Sequence, residues 1–103
     1  FCNNDKLAGR LVAAAEALDD PIWRLPLWRN YRRLFDSEVA DFNNSGRGGY
    51  AGAIVGALFL DYFVPEEIAW AHFDVFSWND VSRPGRPAGG EAQGLRAVLE
   101  ALG

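Results

Sequence analysis

Trp70-Ala71-His72-Phe73-Asp74-Val75-Phe76 reads as an extended segment, rich in aromatic and β-branched residues and apolar on both faces apart from His72 and Asp74. A strand of that kind belongs in the interior of a sheet covered by helices. Side chains alternate along a strand, so His72 and Asp74 share one face, a pattern that invites a metal or acid/base reading. Neither is expected. His72 is the only histidine and Cys2 the only cysteine, whereas zinc-type sites recruit about three protein ligands or more. A His-Asp dyad needs a serine or cysteine nucleophile in reach, and the chain holds no nucleophile-elbow pattern. The expectation is a buried His72 and Asp74 satisfied by backbone or neighbouring side chains.

Before this strand, the segment from Tyr50 to Phe63 carries Ala51, Ile54, Val55, Leu58, Phe59 and Tyr62 at helical spacing, which predicts a largely buried helix. Asp61 interrupts the run, which is too short to span a bilayer. Gly52 and Gly56 lie one turn apart and would let the helix backbone approach a neighbour, expected to be a sheet. Asn44-Ser45-Gly46-Arg47-Gly48-Gly49 precedes the helix, and a short strand from Val39 to Asn43 leads into it. The loop lacks the Lys-Ser/Thr of a phosphate-binding loop and the spacing of a dinucleotide fingerprint, so it reads as a tight strand-to-helix turn.

At the start of the chain, Asn3, Asn4 or Asp5 can cap a helix with Leu7, Leu11, Ala14 and Leu18 on its apolar stripe, stopped by Asp20-Pro21. Trp28, Tyr31 and Phe35 form one side of a short amphipathic helix, with Arg29, Arg32 and Arg33 on a solvated face. After the central segment, Ser82 to Gly90 is a Gly/Pro loop, and Leu95, Val98, Leu99 and Leu102 mark a last helix. The order helix, helix, strand, helix, strand, helix gives an α/β layer structure. Two strands make a poor sheet alone, so the remainder of the sheet is expected outside these residues.

Composition narrows the function classes. The chain has 103 residues, half of them hydrophobic and 14% aromatic, enough for one domain or part of one and too apolar for a disordered segment. A net charge of −4 repels phosphate backbones, so no nucleic-acid partner is expected, and no membrane segment is expected either. One cysteine excludes an internal disulfide, which suits a reducing, cytoplasmic setting. The chain contains no methionine and opens abruptly on Phe1-Cys2-Asn3-Asn4, so a segment cut from a longer polypeptide is expected.

Several ordered blocks resemble the leucyl aminopeptidase (M17) family: Trp23-Arg24-Leu25-Pro26-Leu27, Tyr31, Val39-Ala40-Asp41 with Asn43-Asn44 and Gly46, and Ala51-Gly52-Ala53-Ile54. They continue with Ala57-Leu58-Phe59-Leu60, Trp70-Ala71-His72-Phe73-Asp74-Val75 and Gly85-Arg86-Pro87. The resemblance implies an α/β fold, with residues 1–103 forming the C-terminal part of a mixed-sheet α/β/α metallopeptidase domain whose helices pack on few strands. It implies a parent enzyme that releases N-terminal residues from peptides with two divalent metal ions, manganese or zinc, as a homo-hexamer. The family's metal ligands and its catalytic lysine and arginine lie before Phe1. Asn4-Asp5-Lys6-Leu7-Ala8-Gly9-Arg10 is only superficially similar to the family signature Asn-Thr-Asp-Ala-Glu-Gly-Arg, because the second carboxylate is absent and the spacing is wrong.

No catalytic or metal-ligating residue is therefore expected in this chain. By resemblance, three residues line the substrate pocket. Ser45 stands where the family usually has isoleucine, near the leaving-side residue of the peptide. Phe76 and Asn79 follow the His-Phe-Asp strand where the family lines the pocket for the N-terminal side chain. The family's small Ile-Ala-Gly continuation is replaced here by Val75-Phe76-Ser77, so a bulky Phe76 reshapes that pocket. The alternatives are a free-standing α/β interaction module without catalysis, or an inactive family member.

Overall fold

The computed structural model describes residues 1–103. Its elements are α1 (Asp5–Ala17), a 3-10 helix (Arg29–Phe35), α2 (Gly52–Asp61), β1 (Trp78–Asn79), β2 (Gly89–Gly90) and α3 (Leu95–Leu102). They form two compact units, one made of Phe1–Asn4 and Leu25–His72, the other of Asp5–Arg24 and Phe73–Gly103. The architecture is mixed α/β, with one two-stranded antiparallel sheet.

In the first unit the 3-10 helix packs on α2. A 3-10 helix eclipses residues three apart, so Arg29, Arg32 and Phe35 form one row. Arg29 and Arg32 both reach the carboxylate of Asp61, and Phe35 sets its ring 5.8 Å from those of Phe59 and Tyr62. Phe42 joins the cluster, stacked on Tyr62 at 5.7 Å and edge-on to Phe63 at 5.8 Å. Phe35 and Leu58 are fully enclosed, so the aromatic row and the α2 stripe form this unit's core. The sequence puts the arginines on a solvated face, which holds for Arg29 and Arg33, both exposed, while buried Asp61 draws Arg32 to a half-buried position.

The second unit is built on α1 against α3. Their contact faces are small: Ala8, Leu11, Ala14 and Ala15 on α1, Ala97 and Ala101 on α3, all buried. Small side chains let the two backbones approach, and the Arg10 guanidinium donates to the Ala101 carbonyl, one of the carbonyls that a helix end leaves without an intrahelical partner. The remaining pairing is β1 with β2, in register Trp78 to Gly90 and Asn79 to Gly89.

Three expected features differ. Val39 to Asn43 is not a strand: Val39 is 96% exposed, and the Ser37 hydroxyl accepts from the N–H groups of Val39 and Ala40, taking donors that a ladder would use. Trp70 to Phe76 is not a central strand. It makes one bridge, Ala71 to Cys2, flanked by Trp70 N–H donating to the Asn3 side chain at 2.9 Å and His72 N–H donating to the Phe1 carbonyl at 2.9 Å. The pairing is confined to Ala71, and its partner is the first three residues. Gly52 and Gly56 meet no neighbouring atom within 4 Å of a virtual Cβ, so they mediate no close approach.

Candidate substrate-binding site

The loop before α2 hollows out a concavity of about 310 Å³ whose walls include Phe35, Ser45, Arg47, Tyr50, Val55 and Phe59. Asn43, just before the lining residues, turns the chain into the loop. Its side-chain oxygen accepts the Ser45 N–H at 3.0 Å and its carbonyl accepts the Gly46 N–H at 3.2 Å, the self-bonded turn that asparagine favours. Gly46 has φ +67°, and a Cβ there would sit 3.5 Å from Val55 and 3.8 Å from Phe35, so glycine serves the backbone conformation rather than the space. The Ser45 side chain is exposed at the cavity wall. It presents a hydroxyl, able to donate and accept, beside the apolar ring of Phe35.

Phe76 and Asn79 lie together in the second unit, and their environments are opposite. Phe76 is 75% exposed, whereas Asn79 is 9% exposed. Asn79 turns inward from β1 and donates through Nδ2 to Glu91 Oε2 at 2.7 Å and to the Pro87 carbonyl at 3.2 Å. The other Glu91 oxygen receives Arg86 and Arg96, the latter at 3.1 Å. Hydrogen bonds from Arg96, Arg86 and Asn79, in that order, hold the Glu91 carboxyl down from its ordinary 4.5 to about 2. Between Phe76 and β1, Ser77 adopts φ +57°, a left-handed conformation uncommon outside glycine. Its N–H donates to Gln93 Oε1 at 2.8 Å, and its carbonyl accepts the Glu91 N–H at 2.9 Å.

His72 has both backbone groups bonded to Phe1, and its ring stacks on that of Phe1 at 6.2 Å. Asp74 is exposed, so the expected buried pair does not form; with only a bridge in place of a central strand, nothing covers this carboxylate. No three of the His, Cys, Asp and Glu residues come together as a metal-binding group. A divalent ion therefore does not fit the residues present.

Besides Asp61, two buried carboxylates lie outside the sequence reading of burial, Glu91 and Asp20. Asp20 marks the end of α1 but also caps α3. Its Oδ1 accepts the Gly94 N–H at 3.0 Å, and Oδ2 accepts those of Arg96 and Ala97 at 3.1 and 3.2 Å. Gly94 sits at the N-cap with φ +79° and has no side chain to do this itself. A Cβ on it would come within 3.1 Å of Phe73. The only sequence signals were an aspartate before proline and a glycine before the last helix.

The family model described as the cytosol aminopeptidase family (Peptidase M17), catalytic domain, matches residues 1–99. The chain belongs to this family. A probable cytosol aminopeptidase of Roseiflexus castenholzii is 45% identical over 99% of the chain, which corresponds to 21% of that relative. The crystal structure of a cytosol aminopeptidase from Coxiella burnetii superposes with a TM-score of 0.93 at 55% identity, over 99% of this chain and 22% of that one. The bottromycin maturation enzyme BotP in complex with Mn gives a TM-score of 0.81 at 38% identity, over 99% of this chain and 23% of that one. The M17 chain thus spans about a fifth of the length of the relatives it matches. No helix in it is long and apolar enough to cross a membrane.

Proposed function

We propose that residues 1–103 form the C-terminal part of the catalytic domain of an M17 aminopeptidase that releases N-terminal residues from peptides. The observation that carries this is a match over nearly the whole chain, at 55% identity and a TM-score of 0.93, to a cytosol aminopeptidase. The parent works with two divalent ions, manganese or zinc; the relative solved with Mn supports a metal of this kind. The ions are held by parts of the parent other than these residues. The parent is a cytoplasmic homo-hexamer acting on peptides, with neither nucleic acid nor membrane as a partner.

In this reading the chain supplies pocket walls. Ser45 lies against the leaving-side residue of the peptide, and its hydroxyl replaces the family's isoleucine with a smaller, polar surface. Phe76 faces the N-terminal side chain of the substrate, and Asn79 belongs to the same stretch of chain. A phenylalanine in place of a small residue removes pocket volume, so side-chain preference departs from that of typical leucine-selective members.

The test is hydrolysis of a leucine chromogenic amide by the full-length polypeptide supplied with manganese or zinc, followed by a panel of N-terminal side chains with Phe76→Ala. Turnover by the parent and a preference shifted toward larger side chains in the variant are expected. An inactive parent would sink the reading, and an unchanged preference would remove Phe76 from the pocket.

A further inference from the structure

Asn79 is held in a way that fits poorly with a residue touching substrate. It is buried, it faces inward from β1 while neighbouring Trp78 is 52% exposed, and both of its Nδ2 hydrogens have acceptors. A side chain with its donors already spent recognises a ligand badly, since an incoming group would have to break a charge-assisted bond to Glu91 first.

Its partners point elsewhere. Glu91 is gripped by three side chains, Asn79, Arg86 and Arg96. Its own N–H holds the Ser77 carbonyl, and two residues on, Gln93 holds the Ser77 N–H. Ser77 is thus clamped at both backbone groups in a left-handed conformation that a non-glycine residue adopts only at a cost. Phe76 is the residue immediately before, so the clamp fixes the backbone from which its exposed ring projects. Strain kept in place by surrounding bonds is characteristic of segments that present a side chain for function.

We propose that Asn79 and Glu91 form a buried latch that positions Phe76, and so sets the side-chain preference of the substrate pocket without touching the substrate. This rests on the aminopeptidase reading above and deepens it: Phe76 is the contact, Asn79 and Glu91 are positioning residues. The latch also accounts for Arg86, which reads in the sequence as part of a loop, and which closes the turn from Arg83 while anchoring Glu91.

The experiment uses the full-length, metal-loaded enzyme and the ratio of kcat/KM for leucyl against alanyl chromogenic amides. Asn79→Ala is expected to change this ratio by about tenfold, the scale of a methylene's worth of pocket contact. Phe76→Ala should change it comparably, and the double variant should add nothing, because once the ring is gone there is nothing left to position. Asn79→Leu preserves size but not the bond, and should behave as Asn79→Ala. Glu91→Gln keeps the buried shape and an oxygen for Asn79 but gives up the charge that Arg86 and Arg96 hold, and as the milder variant should shift the ratio in the same direction by less than Asn79→Ala.

An additive double variant, or a parent-like ratio for Asn79→Leu or Glu91→Gln, would overturn the latch while leaving the aminopeptidase reading intact. An unmutated parent without aminopeptidase activity would overturn both.

Discussion

Removing the Asp20 carboxylate should open α3 from its first turn. Three backbone N–H groups depend on it, those of Gly94, Arg96 and Ala97, and no side chain at the N-cap position can replace it. Loss of a capping side chain costs about 0.5–2 kcal/mol, and a buried donor left without a partner costs about 1–3 kcal/mol. Asp20→Ala creates both conditions, with the Gly94 and Ala97 bonds buried, so about 3 kcal/mol is expected. At about 1.4 kcal/mol per factor of ten, that is about a hundredfold rise in the opening equilibrium of α3. Asp20→Asn keeps one carbonyl acceptor and loses the charge, so about a tenfold rise is expected. Hydrogen exchange read by mass spectrometry on peptides covering 94–103 measures this, with peptides from α2 as the internal reference. A change below about threefold for Asp20→Ala would refute the assignment of Asp20 as the cap that holds α3.

Three further outcomes are expected. Glu91 has a folded-state pKa of about 2 against an ordinary 4.5, so its contribution is fully present above about 4.5 and is lost as pH falls toward 2; acid titration should loosen the 76–91 segment in that window, and Glu91→Gln should remove the dependence. Ser77→Gly should raise stability by about 0.5–1 kcal/mol, because relief of the positive φ exceeds the added chain entropy of glycine, which a denaturant midpoint checks. Ser45→Ile should raise kcat/KM for peptides with an apolar second residue over those with a polar one in the full-length enzyme; an unchanged ratio would remove Ser45 from the substrate wall.

How much was legible follows the range of the interactions. The helices were readable because their signals are local, the apolar spacing from Leu7, through Leu58 and from Leu95; the last stripe is misplaced, since α3 buries Ala97 and Ala101 and leaves Leu95, Leu99 and Leu102 exposed. The family blocks were readable for the same reason, and the whole-chain match agrees with them. The sheet was not. Trp70 to Phe76 has strand composition, but pairing needs a partner, and its bridge is with Cys2, some 70 positions away in the chain. Val39 to Asn43 has strand composition too, yet Ser37 satisfies its donors locally.

The buried carboxylates were least visible. Asp20 and Glu91 sit in polar-looking contexts, next to Pro21 and after Gly90, and only contacts across the fold bury them: Asp20 with Arg96 and Ala97, Glu91 with Asn79 and the two arginines. Asn79 shows the same limit from the other side. Family position assigns it to a pocket wall, while its burial and its bonds to Glu91 and Pro87 come from contacts that the sequence does not display.

In the proposed function this chain contributes walls and supports, while the ions that act on the peptide bond are held elsewhere in the parent. Equilibrium dialysis against manganese or zinc measures this directly, on the 103-residue chain and on the full-length polypeptide side by side. The account predicts about two ions retained by each full-length polypeptide, as in other two-metal hydrolases, and none held tightly by the 103-residue chain. Stoichiometric, tight retention of a divalent ion by the short chain would contradict it.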